Sequence, residues 1–228
     1  MKMAGDWITF ALPKGRLLPF ATGLLRDAGL LRTEIDGNGR RLVYRDEEEG
    51  LRYLICRAAD VPTFVEYGAA DLGVAGKDVI LEQGKDICEL LDLGFGECRF
   101  VVAVPASRLE LFKDGLAGYL ARCGQLRVAT KFPRVAELYL RSRGLPGEII
   151  RLSGNIELAP LVGLAEVIID LVSTGRTLRE NNLVAVEDIA VATARLVANR
   201  VSYQVKNDRL LALVEAVRKT LERGVQEC

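Results

Sequence analysis

Apolar and polar positions fall into short blocks along this chain, and the blocks change period. Trp7 to Leu12 is an apolar run suited to a strand, and Pro13-Lys14-Gly15 reads as a turn. Arg16 to Ala28 then sets Leu17, Ala21, Leu24, Leu25 and Ala28 along one side of a helix that Gly29 ends. Arg41 to Tyr44 and Leu51 to Arg57 flank the polar stretch Arg45-Asp46-Glu47-Glu48-Glu49-Gly50 and predict a hairpin. Asp60 stands as an N-cap, with Pro62 in the first turn of a helix running to Tyr67. Ala70 to Ala75 returns as a strand, Gly76 breaks it, and Lys77 to Gln83 forms a helix closed by Gly84.

The rhythm recurs later. Leu126 to Thr130 reads as a strand, Lys131-Phe132-Pro133 as a turn and Arg134 to Arg143 as a helix closed by Gly144, which mirrors residues 7 to 29. The apolar run and Gly-containing turn at 71–78 have a counterpart at 166–175, although identity between the halves is weak and indicates shared architecture only. Asp208 to Arg223 closes the pattern as an amphipathic helix carrying Leu211, Val214, Val217 and Leu221. Alternating strands and helices predict an α/β class. Two similar lobes are the economical arrangement, residues 1–98 with 186–228 forming lobe I and residues 99–185 forming lobe II. Phe100 to Val104 and Thr193 to Val201 are the expected crossing segments, and the cleft between lobes is the expected ligand site.

Composition narrows the chemistry. In 228 residues, Lys+Arg and Asp+Glu are equal at 31 each, so no net field draws the molecule to nucleic acid or an anionic membrane, and any anion site is local. Apolar stretches such as Phe100 to Ala106 fall far short of the ~18 residues of a membrane span. Met1 to Asp6 lacks the basic region and apolar run of a secretory signal, so a cytoplasmic location is expected. Five cysteines form no CxxC pair and histidine is absent, which argues against zinc and excludes a Ser-His or Cys-His nucleophile. Arg, Lys, carboxylates, hydroxyls and backbone are left to act.

The most informative stretch is VIIDLVSTGRTLRENN, residues 167–182. A buried strand ends at Asp170-Leu171-Val172, small and hydrogen-bonding residues follow, and a helix starts at Leu178. Such a turn aims backbone N–H groups and the Ser173, Thr174 and Thr177 hydroxyls at one spot, with a helix dipole behind them, which suits a phosphate. A capped turn without ligand is the alternative for an isolated Ser-Thr-Gly-x-Thr. Asp170 tips the balance, because a carboxylate beside a phosphate accepts bonds from sugar hydroxyls. Neither a Walker A sequence nor GxGxxG is present. In the matching turn of the first half, Lys14 and Arg16 flank Gly15 and place two cations where an anion approaches.

LPKGR near the start, RAADVPTFVEYGAADLGVAGKDV at 57–79, NIELAPLVGLAEVIIDLVSTGRTLRENNL at 155–183 and ARLVANRVSY at 194–203 together resemble the catalytic chain of the ATP phosphoribosyltransferase family, in order and over nearly the whole length. The resemblance implies a two-lobed, periplasmic-binding-protein-like (type II) α/β fold with a cleft. It also implies the first step of histidine biosynthesis, in which N1 of ATP attacks C1 of phosphoribosyl pyrophosphate with Mg²⁺ bound, largely through substrate phosphates. The length resembles the short form, which lacks a C-terminal histidine-binding domain. A regulatory subunit similar to histidyl-tRNA synthetase is then expected, and histidine control would arrive with that partner. A homodimer is expected on separate grounds, since the apolar face of the last helix and the apolar strands before it can bury against a second copy, although a monomer core would use the same residues.

Carried over residue by residue, the resemblance assigns the donor's 5-phosphate to Ser173, Thr174, Gly175, Arg176 and Thr177 and the ribose to Asp170. Glu157 meets the ribose or the metal, or caps a helix. Arg16, Arg40 and Arg57 face the pyrophosphate or ATP phosphates as catalytic cations, while Lys14, Lys77 and Asp78 join Arg16 at ATP, although Asp78 is equally an N-cap candidate. The rival function is a cytoplasmic two-lobed module that binds a small anion, since the same architecture serves binders and enzymes.

Overall fold

The computed structural model describes residues 7–37 and 39–226. The chain divides into two compact units, Met1–Gly96 with Thr193–Cys228, and Glu97–Ala192. The first stretch supplies β1 (Ile8–Lys14), α1 (Leu18–Asp27), β2 (Val43–Asp46), β3 (Leu51–Arg57), α2 (Val61–Glu66), β4 (Leu72–Gly76), α3 (Lys77–Gln83) and β5 (Cys88–Asp92). The second unit follows with β6 (Cys98–Pro105), α4 (Gly115–Cys123), β7 (Arg127–Thr130), α5 (Pro133–Ser142), β8 (Glu148–Arg151), α6 (Leu158–Leu161), β9 (Val167–Val172), α7 (Arg176–Glu180) and β10 (Leu183–Ala192). The chain then returns to the first unit through β11 (Ala194–Ala198), α8 (Arg200–Val205) and α9 (Asn207–Gln226).

In the first unit the strand order is β2-β3-β1-β4-β11-β5. β1 runs parallel to both β3 and β4, while β11 lies antiparallel between β4 and β5. The near-continuous apolar run of β1 reflects cover on both faces. Ile8, Phe10 and Leu12 enter one apolar cluster with Tyr53, Leu25 and Leu210, and Ala11 enters another with Val61 and Val65. A buried carboxylate ties the start of β1 to the returning segment. Asp71 accepts from Thr9 N–H at 2.8 Å, Ser202 Oγ at 2.6 Å and Lys206 Nζ at 2.9 Å. Every oxygen of this buried anion therefore has a donor, as burial of a charge demands.

The second unit has the order β10-β6-β9-β7-β8, with β7 parallel to β8 and β9, and β6 antiparallel to its neighbours. Alternate residues of β9 face opposite ways. Val167 and Ile169 pack with Val128 and Tyr139 on one side, and Ile168 and Val172 with Ile156, Ala159 and Leu178 on the other. That second side is covered by α6 and α7, and it is the side on which Asp170 stands in the β9 alternation.

Several sequence expectations shift here. β1 continues through Pro13 and Lys14, because β1 pairs with β4 only at Phe10 and Ala11 and is an open edge by the time it reaches the proline. The hairpin strand begins at Val43, two residues after the expected start. Asp60 occupies the N-cap position of α2 yet makes no capping bond, since a 3₁₀ turn over Ala58–Asp60 already leads into the helix. The buried stripe of α9 is Leu210, Val214 and Val217, and Leu211 is exposed. Phe100 to Val104 and the strand after Thr193 each lie within one unit, and the passages between units fall at 96–97 and 192–193. The second passage lies beyond the expected 185–186 because β10 runs to Ala192, paired along β6.

Candidate functional site

The turn between β9 and α7 is built by a glycine. Gly175 has φ 70°, a left-handed conformation that L side chains rarely adopt, and it stands at the N-cap of α7. The helix starts at Arg176, two residues before the expected Leu178, and its five residues make it little more than one turn, so its dipole is small. The anion-binding capacity of the turn thus rests on its hydroxyls and N–H groups. Among the described residues, Ser173, Thr174 and Gly175 N–H donate to no backbone carbonyl.

These groups face a pocket of about 120 Å³, room for roughly four waters. Glu157, Asp170, Ser173, Thr174, Gly175, Arg176 and Thr177, the seven residues assigned to the donor, all line it, with Leu171, Val172 and Leu178. Glu157 reaches it because α6 packs on the Asp170 face of β9, and it makes no capping bond to α6. Arg176 turns its guanidinium to Glu180, Nε to Oε1 at 2.7 Å, while its backbone N–H makes a long contact with Thr174 Oγ1 at 3.5 Å.

Burial, followed by the negative charge of Glu157, holds the Asp170 carboxyl above the usual carboxylate range, while Leu171 N–H at 2.8 Å and Lys131 pull the other way. Lys131 went unassigned in the sequence. It lies one step past the last β7–β9 pair, Thr130 with Ile169, and so beside Asp170. The repeated strand–turn–helix rhythm was the signal that could have found it, because Lys131 stands after β7 much as Lys14 stands at the end of β1.

In the first unit, Lys14 and Arg57 are register partners at the C-terminal ends of parallel β1 and β3, where open α/β sheets receive ligands. Both line a pocket of about 480 Å³ together with Leu42, Val43, Leu54, Ile55, Cys56, Asp60 and Phe64. Burial, then the charge of Asp60, pushes the Cys56 thiol up to about 11, so it remains protonated and non-nucleophilic near neutral pH. Arg16 is exposed on the turn past Gly15, whose φ is 98°, and Arg40 is exposed on the segment before β2. Neither lines this pocket. Lys77 is committed elsewhere, its Nζ lying 2.6 and 2.8 Å from the two carboxylate oxygens of Glu89. Asp78 sits in the first turn of α3 behind Gly76, which takes the N-cap position expected of Asp78. Among the described residues, no group of three or more His, Cys, Asp or Glu is placed to hold a metal, and no helix is long and apolar enough to cross a membrane.

Comparison with a solved structure described as a probable amino-acid ABC transporter extracellular-binding protein from Bacillus subtilis gives a TM-score of 0.55 over 96% of this chain and 92% of that one, at 13% identity. This likeness defines the class: an α/β protein of the type II periplasmic-binding-protein-like fold. The ATP phosphoribosyltransferase family model matches residues 57–219. ATP phosphoribosyltransferase of Moorella thermoacetica is 54% identical over 97% of this chain and 96% of its own, and that of Desulfitobacterium hafniense 51% identical over 97% and 100%. The ATP phosphoribosyl transferase (HisG:HisZ) complex from Thermotoga maritima matches with a TM-score of 0.75 and 32% identity, over 95% of this chain and 99% of that one. The chain belongs to the ATP phosphoribosyltransferase family, phosphoribosyl-transferring enzymes of the first step of histidine biosynthesis. The rival of a pure binding module falls with this membership, and the binding-protein likeness shows the fold alone.

Proposed function

We propose that the Ser173–Thr177 turn holds the 5-phosphate of phosphoribosyl pyrophosphate and that Asp170 and Glu157 accept bonds from its ribose hydroxyls. The observation that carries this reading is the gathering of all seven donor residues around one small pocket. ATP occupies the larger pocket of the other unit. There Leu42, Val43, Leu54, Ile55 and Phe64 offer the adenine an apolar wall, and Lys14 and Arg57 meet phosphate oxygens.

In the reaction the lone pair of adenine N1 forms the bond to C1 as the C1–O bond breaks, and the electron pair leaves with pyrophosphate. N1 needs no base to expose its lone pair, so a chain without histidine loses nothing. Orientation and stabilisation of the departing charge supply the acceleration, the latter from Lys14, Arg57 and Arg16. Mg²⁺ fits this chain as an ion bound chiefly by substrate phosphates, with Glu157 and Asp170 as the carboxylates that would complete its shell, since Mg²⁺ is commonly held by one or two carboxylates plus phosphates. When bound, it neutralises phosphate charge.

The site reading is tested with ribose 5-phosphate, which carries the phosphate and ribose but no pyrophosphate. It should bind the full chain and compete with the donor while leaving ATP binding intact. Absence of binding, or competition with ATP alone, overturns the assignment. A hetero-oligomer with a histidyl-tRNA-synthetase-like subunit, built on a homodimer in the cytoplasm, is the assembly we propose, supported by the Thermotoga maritima complex. Co-elution of the two purified proteins at a mass above either alone is the expected result, and separate elution counts against it.

A further inference from the structure

Two arginines follow the phosphate turn, and they point in different directions. Arg176 pairs with Glu180, whereas Arg179, at the far end of the same short helix, reaches back and donates Nη1 to the carbonyl oxygen of Thr174 at 3.1 Å. Arg179 does not line the pocket. The peptide between Thr174 and Gly175 is trans, so its C=O and N–H point in opposite directions. Fixing the carbonyl towards Arg179, which lies outside the pocket lining, therefore fixes the Gly175 N–H on the side away from Arg179, and Gly175 is part of the pocket wall. A cation on the carbonyl oxygen also polarises the peptide and strengthens its N–H as a donor. Gly175 admits this contact as well as the backbone angle, since a Cβ there would lie 3.2 Å from Arg179 Nη1.

We propose that Arg179 is a positioning residue of the donor site, holding the Thr174–Gly175 peptide in the orientation that presents Gly175 N–H to the donor's phosphate. The inference rests on the assignment of the turn to that phosphate. Arg179 acts through the backbone and touches no substrate.

The test uses the full chain with Arg179→Met, which keeps the aliphatic stem but removes the donor, Arg179→Lys, which restores a charge without the fork, and Thr177→Ala as the control for the turn itself. Arg179→Met should raise KM for the donor about tenfold, the scale of one hydrogen bond involving a charged group. The turnover number, KM for ATP and melting temperature should stay at wild-type values. Arg179→Lys should recover part of the donor KM. An unchanged donor KM in Arg179→Met, with Thr177→Ala weakening the donor, overturns the role of Arg179 and spares the site. A parallel rise in both KM values with a fall in melting temperature reduces Arg179 to a structural residue and overturns the proposal. If Thr177→Ala leaves the donor unaffected too, the site assignment fails and the proposal fails with it.

Discussion

The pocket of the 97–192 unit measures about 120 Å³ and is walled by the hydroxyls and backbone of a single turn, with two carboxylates beside them. The pocket of the other unit measures about 480 Å³ and sets two full positive charges, Lys14 and Arg57, at the ends of neighbouring strands against an apolar wall. Under the proposed assignment the contrast follows the demands of the reaction. A 5-phosphate that stays in place throughout is best held by neutral dipoles of fixed geometry, which bind ground state and transition state alike. A group on which charge accumulates needs ions that respond to that charge. Under that assignment, position is the task of one region and charge that of the other.

The strongest way to break this division is Arg57→Ala. Loss of a guanidinium aimed at developing charge should lower turnover about a hundredfold with donor affinity retained, read by single-turnover kinetics. A change confined to the Michaelis constants would make Arg57 a binding residue. Next in size, Ser173→Ala and Thr177→Ala should each weaken the donor about tenfold and leave ATP untouched in calorimetric titrations. Equal weakening of both ligands would erase the contrast between the pockets. Arg16→Ala sharpens it further: outside the pocket and exposed, Arg16 should affect turnover more than binding, but only about fivefold, because an exposed charge pair contributes about 1 kcal/mol.

The smallest effect is on stability and depends on pH. Asp170 holds its proton more tightly in the folded chain than in the unfolded one, because it is buried and faces Glu157. Its contribution to stability is therefore complete below the unfolded value, near 4, and is lost as pH rises through the higher folded value. Asp170→Asn should raise the melting temperature at pH 7, with the gain vanishing below about pH 4, while donor binding weakens. A lower melting temperature at pH 7 would show that the carboxylate stabilises its surroundings.

Much of the site was legible because it is local. The run from Asp170 to Thr177 carries the end of a buried strand, a glycine and three hydroxyls within eight residues, so neighbours in sequence are neighbours in space. The larger pocket was less legible. Leu42 precedes the β2–β3 hairpin and Phe64 follows it, and Lys14 meets Arg57 only through a parallel pairing that adjacent residues do not encode. The Lys77–Glu89 pair was illegible for the same reason, Glu89 lying on β5, a half-buried edge strand with no clear alternation. In β10 the register shifts between Ala185 and Glu187 and again between Asp188 and Ala190, which breaks the two-residue period where the unit boundary had been expected. Glu187 is there to accept the Tyr139 hydroxyl at 2.7 Å, and Asp188 pairs with Arg99 at 2.6 Å, both contacts across long stretches of chain.

The placement of β11 also bears on the order in which the protein assembles during synthesis. The 97–192 unit is continuous and has all its strands once Ala192 has left the ribosome. The other unit must wait, since β5 pairs only with β11, and the donors Ser202 and Lys206 that serve the buried Asp71 arrive later still. Domains generally fold as units while the chain emerges, so the 97–192 unit should be complete while the other is still an open half-sheet. Until β11 is made that half-sheet exposes the edge of β4, and until residue 206 is made its buried carboxylate lacks a donor, so this is the interval in which a nascent chain of this design is most open to wrong pairing.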